Sequence, residues 1–371
     1  MMDADTMVLP RLGDAAVEDP WGEDRPRRVT ARAATAAWRW RIAAWLLPAA
    51  VMGALGAARI TASAPSAGEL ATRRAATSPW PGIGAALTGD EVALGPYHLL
   101  LRGWAALFGA ADLALRVPSL LAMIGAAALV GALAARIATP AAGLAAGAIF
   151  AVLPTSIRYA QEAQPYALAV FAAVLATWLL VPALDRPGLP RLVPYAGAVL
   201  LLGLCQPVAL LLLAGHGWTV LAFRRRVAVR WLAAVVLGLL PVAALLAAGL
   251  RDGGHLASGV RPGAAVLAAT PGDLFGVAAL GGVLAGLALF SLPLRYAAAI
   301  CTAWALVPAL GLLALAQAVP VWSAVNLLFT VPAWAVLGGV ALSRARAVGA
   351  VAVLALVALP AVAAQLPGLT V

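Results

Sequence analysis

The feature that most constrains this chain is a series of long apolar runs that recur over most of its 371 residues. Many of these runs are roughly 17–23 residues long, which is enough for a helix to cross the hydrocarbon core of a bilayer. Only 11% of the residues are charged, whereas about a quarter are charged in an ordinary soluble domain. The sequence therefore predicts an all-α, polytopic transmembrane protein and excludes a soluble enzyme domain carried on a membrane anchor.

Apolar length predicts about eleven spans. They lie near 42–59, 117–135, 140–157, 165–183, 193–204, 207–223, 231–250, 274–293, 296–318, 326–342 and 347–364. The division at Gln206-Pro207 decides the side of every later loop. We expect two short spans there, because a single span over 193–223 would move Arg224–Arg230 to the outer side, against the positive-inside rule.

The arginines indicate how these spans are oriented. All 25 basic residues are arginine, and most of them flank apolar runs. With alternating sides, seventeen fall on the predicted cytoplasmic side and eight on the other. This bias predicts a multi-pass protein of the cell (plasma) membrane with a cytoplasmic N-terminus. It also accounts for the net charge of +10 without nucleic acid as a partner.

Two segments outside the spans stand out. Residues 1–37 hold seven of the fifteen acidic residues and are predicted to form a disordered cytoplasmic tail, because they have too little apolar surface to bury. Residues 38–371 are predicted to form the transmembrane domain. Its first outer loop, 60–116, is the longest, and its end, GPYHLLLRGWAALFG, is predicted to form an interfacial or re-entrant helix. A second outer loop is predicted over 251–273, which is rich in Gly and Pro.

The acidic residues are distributed unevenly. Beyond the tail, all of them except Asp185 fall on the predicted outer side. These outer residues are Glu69, Asp90, Glu91, Asp112, Glu162, Asp252 and Asp273. A carboxylate near the membrane boundary is unfavourable unless it is solvated or paired. We interpret Asp112, Asp252 and Asp273 as solvated loop charges, and the other four as candidates for a functional outer face.

Several short motifs follow one another through the same region. They are Glu69 in AGELAT, the pair Asp90-Glu91, GPYH at 95–98, LRVPS at 115–119 and QEAQPY at 161–166. In order and spacing they resemble the membrane-embedded glycosyltransferases of the C-type superfamily. Within it, the chain is most similar to the protein O-mannosyltransferase and aminoarabinose-transferase-like group, family thirty-nine, and to its bacterial mannosyltransferase branch. The resemblance is clear over about 40–220 and weaker to about 342.

This resemblance implies an enzyme that moves a sugar, with inversion, from a polyprenyl-phosphate donor in the membrane to an extracytoplasmic glycan, lipid or protein acceptor. Glu69 is the position-matched base, and Asp90 or Glu91 comes next. The candidates for binding the donor are Arg73, Arg74, His98, Arg116, Arg158, Gln161, Glu162 and Tyr166. His98 and Tyr166 suit the membrane interface equally well. No cofactor is firmly implied; carboxylates here could hold a divalent cation, but they show no recognisable ligand spacing.

The sequence departs from the family pattern at three places. Gly68 stands where Asp is usual, Gln164 stands where Arg is usual, and Val325-Asn326 stands where Arg-Tyr is usual. These departures support a second reading, a non-catalytic family member that binds a lipid-linked sugar or a partner. A third reading, a lipid or solute transporter, is disfavoured because ionisable residues are nearly absent from the predicted spans.

Overall fold

The computed structural model describes residues 31–58, 60–79, 94–251, 259–290 and 296–345. Within these ranges the chain is almost entirely helical, and its only extended pairing is an isolated bridge between Val260 and Trp322. The chain divides into two compact units, residues 1–39 and 40–371, and the packing described below lies in the second. Most of the predicted disordered tail lies outside the described residues, although its last part, from Ala31, is helical backbone.

The helices are numbered in chain order. They are α1 (Ala31–Ala57), α2 (Ala67–Thr77), α3 (Gly95–Phe108), α4 (Asp112–Ile137), α5 (Pro140–Val152), α6 (Pro154–Ala160), α7 (Tyr166–Asp185), α8 (Leu189–Cys205), α9 (Leu212–Phe223), α10 (Ala228–Arg251), α11 (Ala264–Phe275), α12 (Ala278–Phe290), α13 (Tyr296–Ala318) and α14 (Val331–Ala345). Short 3₁₀ turns precede α9, α10 and α14, at Pro207–Leu211, Arg225–Val227 and Ala324–Thr330.

Six helical segments in the described part are long and apolar enough to cross a membrane, or up to eight if each bent pair of helices counts as one span. The chain is thus an all-α, multi-pass membrane protein, as predicted. The helical break predicted at Gln206-Pro207 is present between α8 and the 3₁₀ turn that leads into α9. The last predicted span, 347–364, lies outside the described residues.

Two pairs of consecutive helices are sharply bent, and their breaks touch. α5 and α6 meet at 65°, and α11 and α12 meet at 84°. Gly276, between α11 and α12, has a φ of +83°, and a Cβ there would lie 2.6 Å from the Cβ of Pro154, at the start of α6. Glycine satisfies both the left-handed backbone and the close approach. Residues 251–273 were predicted to be a loop rich in Gly and Pro, but their second half forms α11.

The described part of the region predicted to be the long first outer loop contains two complete helices, α2 and α3. α2 begins with a capping box, in which the Ser66 hydroxyl accepts from the Glu69 N–H and the Glu69 carboxylate accepts from the Ser66 N–H. α3 confirms the helix predicted in GPYHLLLRGWAALFG. One side of α3 buries Tyr97, whereas Leu107 is 79% exposed. This apolar exposed side is what an interfacial helix requires.

Four helices are joined by a buried chain of hydrogen bonds around His216. Trp231 Nε1 donates to the Tyr195 hydroxyl over 3.0 Å, and Tyr195 lies 3.1 Å from Nδ1 of His216. On the other side of the ring, Nε2 lies 3.1 Å from the Thr177 hydroxyl, which donates to the Ala173 carbonyl. Every donor finds an acceptor only if His216 is neutral and carries its proton on Nε2. The chain therefore joins α7, α8, α9 and α10 without a buried charge.

Replacing His216 by leucine should lower the free energy of unfolding by roughly 1–3 kcal/mol, because two interhelical hydrogen bonds are lost and the hydroxyls of Tyr195 and Thr177 lose partners. Thermal unfolding of the detergent-solubilised protein measures this loss. Thr219→Val is a matched control on the same helix, because the buried Thr219 hydroxyl bonds only within α9, to the Gly215 carbonyl. Equal shifts in melting temperature for both variants would contradict a role in joining helices.

Candidate functional site

The centre of the candidate site is an ion pair between Glu69 of α2 and Arg116 of α4. Arg116 Nε lies 2.7 Å from Glu69 Oε1, and Nη2 lies 2.9 Å from Oε2, so that the pair is bidentate. The Arg116 side chain is 2% exposed and the Glu69 side chain is 6% exposed. The backbone N–H of Ala163, in the α6–α7 connection, donates to Oε1 over 2.9 Å. Three of the motifs noted in the sequence, AGELAT, LRVPS and QEAQPY, therefore meet at one carboxylate.

The bonding of this pair is complete. The remaining guanidinium donors of Arg116 reach the carbonyls of Ile60 and Ser63. Burial alone would raise the pKa of Glu69, but the Arg116 guanidinium and the backbone N–H groups of Ala163 and Ser66 hold that pKa below its usual value. A carboxylate stabilised in its charged form is a weak base. This arrangement favours a positioning role for both residues over the predicted roles in proton transfer and phosphate binding.

Two of the three departures from the family pattern are neighbours in space. A Cβ at Gly68 would lie 2.5 Å from Nε2 of Gln164, which donates to the Ser66 hydroxyl over 3.2 Å. The carbonyl of Gln164 also accepts from Ser119, the last residue of the LRVPS motif, over 3.4 Å. Gly68 and the neutral side chain of Gln164 are therefore in contact with each other. A larger side chain at 68 would therefore have to displace Gln164.

A second ion pair, between Arg158 and Glu162, lies beside the first and is more accessible. Arg158 Nε lies 2.8 Å from Glu162 Oε1, and the side chains are 60% and 15% exposed. The guanidinium also lies 5.5 Å from the ring centroid of Tyr159, which packs edge-to-face against Tyr166. Among the described residues, the hydrogen bond to Glu162 engages only Nε of Arg158. Its terminal nitrogens are thus available to an anion.

Asp273 approaches this second pair from α11. It is exposed, and it lies close enough to Arg158 and Tyr159 to act on both electrostatically. From the sequence alone Asp273 was interpreted as a solvated loop charge; it lies more than 100 residues beyond the motifs. Because the break at Gly276 contacts Pro154 at the start of α6, Asp273 lies close to Arg158 in the folded protein.

The other predicted donor-binding residues lie around these pairs. Arg73 pairs with Asp112 over 2.7 Å, both about two-fifths exposed, and Arg74 is exposed in the last turn of α2. Gln161 donates to the carbonyls of Leu55 and Ala58 at the end of α1. His98 lies in the first turns of α3.

The predicted catalytic residues Asp90 and Glu91 lie outside the described residues, so their place relative to the two ion pairs stays a prediction. Within the part of the chain that the structure describes, no three His, Cys, Asp or Glu side chains lie close enough together to hold a metal ion.

Neither the protein-family models nor the curated proteins contain a match to this chain. The resemblance noted in the sequence therefore rests on the motifs and on their convergence. One local signal of the Glu69 geometry is visible in the sequence. Ser66 and Glu69 have the spacing of a capping box, which would have indicated that this carboxylate is engaged at the start of a helix.

Proposed function

We propose that this protein is an integral-membrane glycosyltransferase that moves a sugar, with inversion, from a polyprenyl phosphate to an extracytoplasmic acceptor. The observation that carries the proposal is the convergence of motifs up to 94 residues apart on Glu69 and Arg116, beside the accessible pair of Arg158 and Glu162. A donor of this kind needs a cation at headgroup depth and helices that receive its lipid tail.

In the proposed reaction, the acceptor hydroxyl oxygen attacks the anomeric carbon while the bond from that carbon to the phosphate oxygen breaks. The electron pair leaves with the lipid phosphate, where Arg158 stabilises the charge. A carboxylate on the opposite face of the sugar takes the hydroxyl proton. Glu162 is bonded to Arg158 itself, so it would orient that guanidinium. The base is therefore sought among Asp90, Glu91 and Asp273.

The same proposal includes the topology expected from the sequence. Eleven spans, a cytoplasmic N-terminus and an outer loop over 60–116 would put α2, α3 and both ion pairs on the extracytoplasmic side. The arginine bias supports this orientation. The exposed apolar side of α3 suits a helix that lies at the interface and walls a lipid-headgroup site.

Transfer of label from polyprenyl-phosphate mannose or aminoarabinose analogues tests the function in purified protein. We expect at least one of Asp90→Asn, Glu91→Gln and Asp273→Asn to lower the transfer rate by about 100-fold or more, because proton transfer by a positioned base contributes at least that much. Asp185→Asn is the matched control, since Asp185 pairs with Arg224 at the other end of α7. Transfer that survives in all three test variants would refute the proposed chemistry.

A second candidate function is supported by the complete bonding of Glu69 and Arg116 and by the uncharged contact of Gly68 with Gln164. These features suit a family member that binds a lipid-linked sugar without transferring it. Binding of the same donor analogues to wild-type protein, with no label transferred to any tested acceptor and no loss of binding in the three variants, would favour this candidate.

A further inference from the structure

A surface groove of about 440 Å³ lies between the start of α8 and the first half of α10. It is far from both ion pairs, because the whole length of α7 separates the α6–α7 connection from the α7–α8 turn. Its apolar walls include Leu189, Val193 and Leu237, which are 76%, 53% and 59% exposed. Such surfaces on membrane helices face lipid.

Small side chains keep this groove open. Gly188 lies in the turn between α7 and α8, and a Cβ there would meet only Pro190, at 3.7 Å. Ala233 lines the groove from α10 and is exposed. With these small residues in its lining, the groove can admit a narrow apolar chain.

Arg230 is the one charged residue among those that line the groove. It is exposed, and it lies beside two basic turns, the α7–α8 turn and the α9–α10 turn. The Asp185–Arg224 pair, at 3.6 Å, brings these turns side by side. The arginines in these turns are Arg186, Arg224, Arg225 and Arg226, and Arg191 follows in the first turn of α8. Asp185 is the only acidic residue between 163 and 251, so these two turns together carry a net positive charge.

The charged and apolar residues along the groove are arranged like the headgroup and acyl chains of a phospholipid. Arg230 stands near the start of α10, and Leu237 lies seven residues further along it, which is roughly 10 Å at the rise of an α-helix. A cation at one end and apolar walls over the next ~10 Å match a headgroup phosphate and the first part of its acyl chain. The surrounding positive charge selects an anionic headgroup over a zwitterionic one.

We propose that this groove is a binding site for one anionic phospholipid, with its phosphate on Arg230 and an acyl chain between α8 and α10. The proposal is independent of the proposed transferase activity and of which leaflet this end of the helices occupies. A positive-inside signal needs only the charges, whereas this site also needs the open slot beside Arg230.

Native mass spectrometry of the full-length protein, released from detergent with added phosphatidylglycerol or phosphatidylcholine, tests the site. We expect one phosphatidylglycerol to be retained in preference to phosphatidylcholine. Arg230→Ala should weaken its binding about fivefold, as for loss of one arginine contact near a membrane surface, and Ala233→Phe should abolish retention by filling the slot.

Matched controls lie on the same helix. Arg251→Ala removes an exposed arginine at the far end of α10, and Val236→Phe enlarges an exposed residue outside the groove lining. Both should bind phosphatidylglycerol as the wild type does. Equal retention of the two lipids, or equal loss in test and control variants, would overturn the proposal. A dimer that Ala233→Phe dissociates would instead assign the groove to a second copy of the chain.

Discussion

Replacing Arg116 by methionine is expected to lower the free energy of unfolding by about 3–5 kcal/mol, because it leaves the buried Glu69 carboxylate without its charged partner. Methionine fills part of the same volume and cannot donate a hydrogen bond. The loss also releases the carbonyls of Ile60 and Ser63. Since these contacts tie α2 and the α1–α2 connection to α4, we expect the site to loosen as a unit.

A double-mutant cycle separates the ion pair from simple packing. Glu69→Leu combined with Arg116→Met should recover much of the stability lost in Arg116→Met, because no unpaired charge remains buried. Arg73→Met is the control, since Arg73 and Asp112 form a half-exposed pair that should contribute less than about 1 kcal/mol. Additive losses in the double variant would show that the two side chains are not coupled.

The pH dependence of stability tests the same ion pair of Glu69 and Arg116. The pKa of Glu69 is lower in the folded protein than its usual value, so its stabilising contribution is present above the ordinary carboxyl pKa and is lost as the pH falls through the lowered one. Wild-type melting temperature should therefore fall more steeply on acidification below about pH 4.3 than that of Glu69→Gln. Parallel curves would contradict the assignment.

If the proposed transferase activity is present, replacing Arg158 by alanine is expected to lower the rate of sugar transfer by about 100- to 1,000-fold, the usual effect of removing one donor from a developing negative charge. Its guanidinium is held at Nε by Glu162 and lies near the Tyr159 ring. The two terminal nitrogens can then meet two oxygens of a phosphate. Lysine at this position keeps the charge but not the fork, so Arg158→Lys should have an intermediate rate.

Transfer kinetics with a labelled polyprenyl-phosphate donor check this expectation. Arg261→Ala is the control, because Arg261 is an exposed arginine of the α10–α11 connection and is assigned no part in the site. An effect confined to the maximal rate fits charge stabilisation in the transition state, whereas one confined to KM fits donor binding alone. Full activity in Arg158→Ala would remove Arg158 from the proposed mechanism.

Much of the fold could be predicted from the sequence, because crossing a membrane imposes a local requirement. A helix satisfies its own backbone polar groups, so apolar length alone indicates where helices lie. The break at Gln206-Pro207 and the helix at 95–108 followed from proline, charge and pattern within a few residues. The loop prediction at 251–273 failed in its second half because glycine and proline, which indicate a loop, also fit a short helix that packs through its second half, at Thr270, Leu274 and Phe275.

The candidate site could be predicted only as a set of residues. Motif order brought Glu69, Arg116, Arg158 and Glu162 into one list, and the spacing of Ser66 and Glu69 is that of a capping box. Nothing local, however, indicates the hydrogen bonds from Arg116 and Ala163 that complete the bonding of the Glu69 carboxylate. Asp273 was passed over because its approach to Arg158 depends on the contact of Gly276 with Pro154. The bonding of Glu69 and the approach of Asp273 to Arg158 both depend on which helices pack against each other.

The sequence by itself determined that this chain is a bundle of apolar helices, with its few charges at their ends. Only the tertiary structure decided which of those charges pair and which stay accessible, and where small residues leave a slot between helices. The physical reason is the separation along the chain over which each property is determined. Hydropathy acts on each segment separately, whereas an ion pair or a groove exists only when side chains distant in the chain are held within a few ångströms of each other by packing.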